Sequence, residues 1–225
     1  MTDSKNYWNK YYLDNIYKSG KAPSEFLQNM VSRMQKGLTL DVAMGEGENS
    51  VLLAQKGFDI RGFDVSDIAI ARAKGLAQDS GVQITAESAD ADMYLLKVLE
   101  YDSIIMTGYK PQTERFFPEM IKALKQGGTL LIEALHTEQM DEAIAKNEYY
   151  KDNFYKSNEL LNHLKGLRVL FYQEAKIDGA YRVQALAQKF LDKDAAKYDL
   201  FGMASKKAEK QGSKQLELAE AFFKK

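Results

Sequence analysis

The sequence predicts an α/β protein built on a mostly parallel sheet of seven strands that ends in an antiparallel hairpin, with helices on both faces. Short apolar runs alternate with segments of helical periodicity between residues 38 and 135, which is typical of parallel strands joined by right-handed crossovers. Two glycines, Gly45 and Gly47, follow the first apolar run in LDVAMGEGENS. Further along, two alternating runs flank Asp178-Gly179, a dipeptide typical of hairpin turns.

Local signals place the helices and strands of the parallel part of the sheet. The apolar runs predict strands over 38–44, 59–65, 82–90, 101–108 and 129–135, and helices are predicted over 24–35, 49–57, 66–81 and 114–128. Short polar side chains cap the free N–H groups at a helix start. The predicted caps are Ser24, either Asn49 or Ser50, and Ser66. Gly57 and the pair Gly127-Gly128 are expected to end two of these helices.

The last third of the chain supplies the hairpin and an appendage. One more helix is predicted over 157–166, and strands over 167–177 and 181–190 form the hairpin. We therefore predict one domain over 1–190, which includes an N-terminal lid and helix over 1–36, and an extension over 191–225. The extension is lysine-rich, and Leu216, Ala219 and Phe223 indicate a C-terminal helix within it.

Composition narrows the classes of partner. The 225 residues carry a formal net charge of -1, so nucleic acid and acidic membranes are not favoured partners. The chain has no cysteine and two histidines, and we predict no metal site. The start MTDSKNYWNKYY lacks the features of a leader, and no apolar run is long enough to cross a membrane, so we expect a cytoplasmic protein.

The glycine turn indicates a ligand with a positive centre. In an open α/β sheet, ligands bind outside the carboxyl ends of the strands, and Gly45 and Gly47 would let backbone approach a ligand closely. A dinucleotide-binding turn would have a third glycine where this chain has Ser50. Glu46 and Glu48 flank the second glycine and would repel a pyrophosphate. A cationic ligand is therefore favoured.

Two further carboxylates suit a nucleoside. Asp64 ends the second predicted strand, where an acidic side chain can accept the hydroxyls of a ribose. Asp90 ends the third, and an ionised carboxylate offers only acceptors, which suits the exocyclic amine of adenine. Asp92 is the alternative to Asp90 as the acceptor for the adenine amine, but we expect Asp90 to take this role and Asp92 to be solvated.

The order of these signals from residue 38 to about residue 188 resembles the class I S-adenosylmethionine-dependent methyltransferases. LDVAMGEGENSVLLAQKGFDIRGFDVS resembles the first two motifs of that family, and ADADMY followed by YDSIIMTGY resembles its adenine-site motif and fourth strand. FFPEMIKALKQGGTLLIEA resembles the helix and fifth strand that come next. The glycine pattern alone is weak evidence, whereas all these elements in order, with the terminal hairpin, are strong evidence.

The resemblance implies a Rossmann-like fold with S-adenosylmethionine as cofactor. It implies that Asp41 holds the methionine amino group, directly or through water, and that the Ala91 amide contacts an adenine ring nitrogen beside Asp90. A backbone carbonyl at the end of the fourth strand, at Met106, is expected near the cofactor's ammonium group. The full cofactor-binding set that it implies is Asp41, Gly45, Gly47, Asp64, Val65, Asp90, Ala91 and Met106.

Within that family, the chain most resembles a compact small-molecule branch that includes tellurite-resistance and thiopurine-type methyltransferases. The segments PSEFL, FFPEM and GLRVLFYQEAK carry this likeness. WNKYY resembles the aromatic lid of the branch, with Tyr11 where an arginine is usual. Trp8 and Tyr12 are therefore expected to form a lid that excludes water from the cofactor.

Methyl transfer mainly requires that a nucleophile and the methyl group be held in line. A soft nucleophile that is already ionised needs no base, whereas an alcohol or ammonium does. His136 at the end of the fifth strand is a catalytic candidate, and so is Tyr109, which can face a sulfonium by cation–π attraction. His163 is expected to be exposed. We expect a small-molecule methyl acceptor and a monomer or homodimer.

The sequence is also compatible with other functions. A binding module without catalysis would keep the cofactor residues and lose only the acceptor pocket. A protein or RNA methyltransferase is also compatible with the cofactor motifs. A nicotinamide-dependent oxidoreductase is less favoured, because it predicts a third glycine near Ser50 and no terminal hairpin.

Overall fold

The structure, a computed structural model, describes residues 2–14, 17, 21–141, 147 and 151–191. The chain divides into two compact units, Met1–Lys189 and Phe190–Lys225, and only Phe190 and Leu191 of the second unit are described. The C-terminal helix predicted around Leu216 therefore lies outside the described residues. None of the helices in the described ranges has both the length and the apolar character needed to cross a membrane.

The elements alternate as the sequence predicts. The α-helices are α1 (Thr2–Asp14), α2 (Glu25–Met30), α3 (Glu48–Gln55), α4 (Asp67–Asp79), α5 (Phe116–Ala123) and α6 (Glu159–His163). The strands are β1 (Leu38–Val42), β2 (Asp59–Asp64), β3 (Thr85–Ser88), β4 (Tyr101–Thr107), β5 (Leu124–His136), β6 (Phe154–Tyr155), β7 (Leu167–Ile177) and β8 (Ala180–Lys189). Short 3-10 turns lie at Val31–Arg33, Thr137–Gln139 and Lys151–Asn153.

One sheet contains all these strands, seven of them in the order β3-β2-β1-β4-β5-β8-β7, with β6 off this path and paired to β5. Strands β1 to β5 are parallel, and β8 runs antiparallel to both β5 and β7. The predicted α/β fold with a terminal hairpin is confirmed. The sequence did not indicate β6, a two-residue strand that pairs with the end of β5 at Leu135 and His136.

Local capping residues determine where α2 and α4 begin, whereas tertiary packing determines where α3 begins. The hydroxyls of Ser24 and Ser66 accept hydrogen bonds from the backbone of α2 and α4, as predicted. The prediction that Asn49 or Ser50 caps α3 is wrong, because the cap is Gly47 in a left-handed conformation with φ 88°. Asn49 and Ser50 lie inside the first turn of α3, and their side chains bond to other strands.

The helix before β5 is shorter than predicted. Helix α5 ends at Ala123, and strand pairing begins at Leu124, whose partner is Tyr101. The register shifts between Tyr101 and Ser103, so that Gly127 and Gly128 belong to the start of the strand. A side chain at Gly128 would lie 3.0 Å from the carbonyl oxygen of Asp102, so the glycine permits close approach of the two strands.

Alternate residues of the central strands pack into two layers of core. On one face, Ile104 of β4 packs with the apolar side of α5, including Phe116 and Met120. On the other face, Ile105 packs with Phe26 and Leu27 of α2 and with residues of α3. The polar residues of the site lie at the carboxyl ends of these strands.

Candidate active site

A cavity of about 870 Å³ opens at the carboxyl ends of the parallel strands. It extends from the end of β2, across β4 and β5, to the β7–β8 hairpin, and side chains of α1 and α2 also line it. The structure brings together these residues predicted from the sequence: Trp8, Tyr12, Gly45, Asp64, Val65, Asp90, Ala91 and Tyr109. The remaining predicted site residues, Asp41, Gly47, Met106 and His136, do not line it.

Asp64 joins the glycine turn to the end of β2. Its Oδ2 accepts a hydrogen bond of 3.0 Å from the amide of Gly45, and its Oδ1 accepts one of 2.9 Å from the amide of Ser66. Burial raises the pKa of Asp64 to about 6, although the backbone N–H groups oppose this shift. The carboxylate has further lone pairs on each oxygen, so it can still accept hydroxyl groups from the cavity.

Asp41 lies beneath the turn and does not reach the cavity surface. It is 1% exposed, and its Oδ2 accepts a hydrogen bond of 2.7 Å from the hydroxyl of Ser50. Its Oδ1 has no hydrogen-bond partner among the described residues. Burial, opposed by the Ser50 hydrogen bond, raises the pKa of Asp41 to about 8.

Glu48, which sequence analysis treated only as part of the acidic surroundings, lines the cavity at the start of α3. Its Oε2 is buried and has no hydrogen-bond partner within the described part of the chain. Burial, together with the neighbouring carboxylates Glu46 and Asp64, raises the pKa of Glu48 to about 7. By contrast, Glu46 forms an ion pair with Arg72 at 2.7 Å. The unpaired oxygen of Glu48 is therefore suited to a donor or cation inside the cavity.

Gly47 has a packing function. With φ 88°, it starts α3, and a Cβ there would lie 2.7 Å from the Cβ of Ala73 on α4. The prediction that it contacts the cofactor has no support in the shape of the cavity, whereas Gly45 does line it. The turn also contains Ala43, which was not predicted as a site residue. Ala43 has a left-handed backbone conformation with φ 53° and lines the same wall of the cavity.

Gly47→Ala is expected to lower the free energy of unfolding by about 2 to 4 kcal/mol. Alanine is strained in the left-handed backbone conformation, and its β-carbon would be overpacked against α4. Gly75→Ala is the matched control, since Gly75 lies within α4 and a Cβ there would have no neighbour within 4 Å among the described residues. That variant should be neutral or stabilised by up to about 1 kcal/mol. Urea unfolding of both variants tests this, and equal stabilities would contradict it.

The end of β3 and the end of β4 contribute Asp90 and Tyr109. Oδ1 of Asp90 accepts a hydrogen bond of 3.0 Å from the amide of Asp92. Asp92 does not line the cavity, and its own Oδ1 accepts a hydrogen bond from Thr113. Desolvation and the nearby acidic groups Asp92 and Asp90 raise the pKa of Tyr109, so that it stays a neutral phenol.

His136 ends β5 but points away from the cavity. Its Nε2 lies 3.1 Å from the hydroxyl of Ser157, and its Nδ1 accepts a hydrogen bond of 3.2 Å from the amide of Glu138. Strand side chains alternate between faces, so His136 and Glu133, three residues apart, lie on opposite sides of β5. His163, which we expected to be exposed, is half-buried and stacks on Phe117 with ring centroids 4.2 Å apart.

Glu133 is a cavity residue that sequence analysis missed. It is 7% exposed on β5, and the hydroxyl of Ser24 donates a hydrogen bond to its Oε2. The amide of Gln184 on β8 donates to its Oε1 at 2.9 Å. Gln173 on β7 donates in turn to Gln184, and Arg182 lies 3.6 Å from Oε1 of Glu133. The available signal was a lone charged residue within the apolar run TLLIEAL.

Helix α1 forms part of the cavity wall with one face. Ser4, Trp8, Tyr11 and Tyr12 line the cavity at helical spacing. The helix is held to the start of α4 by polar contacts, including an ion pair of 2.9 Å between Lys5 and Asp67. The rings of Trp8 and Tyr11 pack edge to face with centroids 5.3 Å apart. This arrangement is suited to keep water away from the glycine turn.

Comparison with known proteins finds a methyltransferase domain and a methyltransferase relative. A family model described as a methyltransferase domain matches residues 39–128. A putative methyltransferase of Geobacillus sp. (strain WCH70) is 28% identical over 166 residues, a match that covers 66% of this chain and 62% of the relative. The chain thus spans less than two thirds of that relative's length.

Solved structures share the fold. TehB from Haemophilus influenzae is similar with a TM-score of 0.64 and 19% identity, over 83% of this chain and 67% of that chain. A geranyl diphosphate C-methyltransferase from Streptomyces coelicolor A3(2), solved with Mg²⁺, geranyl diphosphate and S-adenosylhomocysteine, has a TM-score of 0.59 and 14% identity, over 73% and 78% of the two chains. The sequence motifs, the topology and these matches together support a class I S-adenosylmethionine-dependent methyltransferase, with a methyltransferase domain over residues 39–128.

Proposed function

We propose that this protein binds S-adenosylmethionine in the cavity and transfers its methyl group to a small molecule. The observation that carries the proposal is the unpaired, buried carboxylate oxygen of Glu48 beside Asp64 at the glycine turn. Two desolvated acids on one wall suit a ligand that combines a ribose with a positively charged methionine end. A pyrophosphate would meet like charges at the same place, which disfavours a nicotinamide cofactor.

The residues fit the cofactor in named roles. Asp64 would accept the ribose hydroxyls, and Asp90 would accept the adenine amine, with the Ala91 amide at a ring nitrogen. Glu48 would hold the methionine ammonium group. S-adenosylmethionine, when bound, supplies a methyl group activated by a positively charged sulfur.

The remaining residues would position the acceptor and exclude water. Tyr109 keeps its proton and can present its ring face to a positive charge. Holding the nucleophile in line with the methyl carbon can supply roughly 7 to 11 kcal/mol of the barrier reduction. The named substrate of the similar Streptomyces enzyme is a small molecule, which supports a small-molecule acceptor here.

The affinity for S-adenosylmethionine should rise with pH. In the free protein the pKa of Glu48 is about 7 and that of Asp64 about 6, so at pH 6 a cation must displace protons from these groups. Between pH 6 and pH 8 we expect an affinity gain of about 10-fold, with proton release on binding at the lower pH. Isothermal titration calorimetry in two buffers of different ionisation enthalpy measures both effects.

Two comparisons separate this effect from general changes in the protein. The neutral analogue 5′-methylthioadenosine lacks the methionine ammonium group, so its affinity should change much less with pH. Glu48→Gln should flatten the pH dependence for S-adenosylmethionine because a titrating group is removed. An affinity that is constant or falls from pH 6 to pH 8 would count against the assigned role of Glu48.

A further inference from the structure

We infer that the methyl acceptor is an amine whose nitrogen is bound by Glu133, an inference that rests on the proposed function. The cavity continues past the glycine turn to a second region between the start of α2 and the β7–β8 hairpin. Glu133 lies on the inner wall of this region, while Glu25 and Asp178 are exposed lining residues contributed by α2 and the hairpin turn.

Glu133 is a fixed acceptor. Its register neighbours are Thr107 on β4 and Gln184 on β8, so two strands hold its backbone. Ser24 donates to one carboxylate oxygen, and Gln184 donates to the other. An ionised carboxylate has about four acceptor sites, so each oxygen keeps capacity for a donor from the cavity. A nitrogen with N–H groups and a positive charge satisfies that capacity best.

The balance of charge in the cavity selects against anions. Seven carboxylate side chains and one guanidinium, that of Arg182, are found among the described residues that line it. Arg182 is partly neutralised, because it lies 3.6 Å from Glu133. A concave surface with one dominant sign of charge focuses its field and concentrates ligands of the opposite charge. An oxyanion, thiolate or carboxylate acceptor would be repelled, whereas an ammonium would be attracted.

Glu133 would also stabilise the positive charge that develops on the acceptor nitrogen during methyl transfer. The acceptor first gives one proton of its ammonium group to water at the open side of the cavity. The nitrogen lone pair then forms the N–C bond while the C–S bond breaks, and the electron pair of that bond stays on sulfur. Positive charge is thereby transferred to the nitrogen, and a negative group fixed beside that atom stabilises the transition state. The product leaves as a methylated ammonium ion.

Matched probes test the inference on the complex with S-adenosylhomocysteine, which cannot react. We would titrate it with 2-phenylethylamine, 2-phenylethanol and 3-phenylpropionate, which have similar shapes and different charges. The amine should bind at least about 10-fold more tightly than the alcohol, and the carboxylate more weakly than either. Glu133→Gln should weaken amine binding by about 10- to 100-fold and leave the alcohol within about 2-fold. Glu138→Gln, an exposed change outside the cavity, should alter neither.

The outcomes separate the two proposals. No binding of S-adenosylhomocysteine to the wild-type protein would overturn the proposed function. Binding of S-adenosylhomocysteine, together with carboxylate binding as tight as amine binding or no amine binding at millimolar concentrations, would overturn the amine inference alone. The comparison of probes uses the wild-type protein, so a folding defect in Glu133→Gln cannot obscure it. Unchanged S-adenosylhomocysteine affinity in Glu133→Gln would further show that its effect is confined to the acceptor.

Discussion

Asp64→Asn is expected to weaken S-adenosylmethionine binding by about 100-fold, because it removes a charged acceptor from a desolvated wall. The two carboxylate oxygens also fix the turn through the amides of Gly45 and Ser66. An asparagine side chain has one acceptor and one donor end, so one of these amides would lose its partner. The ribose would then meet a turn that is both less negative and less ordered. Isothermal titration calorimetry with the wild type and the variant measures the loss.

Asp92→Asn is the matched control for this substitution. Asp92 follows the neighbouring strand β3 but does not line the cavity, so its replacement should change the affinity by no more than about 2-fold. Melting temperatures for both variants would show that each is folded. Equal affinities for Asp64→Asn and Asp92→Asn would place the ribose elsewhere and contradict the assigned role.

Asp41→Asn is expected to stabilise the protein at pH 8 by about 2 to 4 kcal/mol. The pKa of Asp41 in the folded state is about 8, raised from 3.8 mainly by burial. The folded state therefore binds this proton more tightly than the unfolded state does. As the pH rises from about 4 to 8, Asp41 is ionised in the unfolded chain but keeps its proton in the folded state, so the free energy of unfolding falls progressively. Asparagine is neutral and removes this loss, while the hydroxyl of Ser50 can still bond to it.

Urea unfolding of wild type and Asp41→Asn at pH 5 and pH 8 tests the sign. The difference in free energy of unfolding should be larger at pH 8 than at pH 5, because the folded wild type holds on Asp41 a proton that the unfolded chain has released, and holding it costs more as the pH rises. A variant that is less stable at both values would contradict the account. We also expect weaker S-adenosylmethionine binding by this variant at pH 8, where Asp41 is partly ionised and adds to the negative field beneath the turn. The carboxylate would then be retained for function at the expense of stability.

The parallel sheet and the hairpin could be predicted because their signals are local. The caps Ser24 and Ser66 act within their own helices. Asp178 and Gly179 both adopt positive φ angles, 48° and 84°, as a tight hairpin turn requires. Such features depend on residues close together in the chain, and a single sequence contains them in full.

The start of α3 could not be predicted in the same way. Asn49 and Ser50 are good capping residues in isolation, but Ala73 on α4 leaves space only for a glycine at the first position. The Asn49 amide then bonds to Thr107 on β4 at 2.8 Å, and the Ser50 hydroxyl bonds to Asp41. Contacts between distant segments decided the cap, and local propensity gives no information about them.

The candidate site likewise contains residues that local signals predict and a residue that depends on contacts between distant segments. Gly45, Asp64 and Asp90 follow the ends of strands, and parallel strands bring such positions to one edge. On β5 the prediction concerned His136, whereas Glu133 lines the cavity. Which of the two residues lines the cavity depends on which face of β5 turns toward α2. That face is determined by the contacts of Glu133 with Ser24 and Gln184, which lie far from it in the sequence.

The most direct measurement is calorimetric titration of the wild-type protein with S-adenosylmethionine and, separately, with NAD⁺. We predict saturable binding of S-adenosylmethionine that Asp64→Asn weakens, and no measurable binding of NAD⁺. Absence of heat with S-adenosylmethionine across the pH range 6 to 8, or NAD⁺ binding of comparable strength, would show that the protein does not use S-adenosylmethionine as proposed.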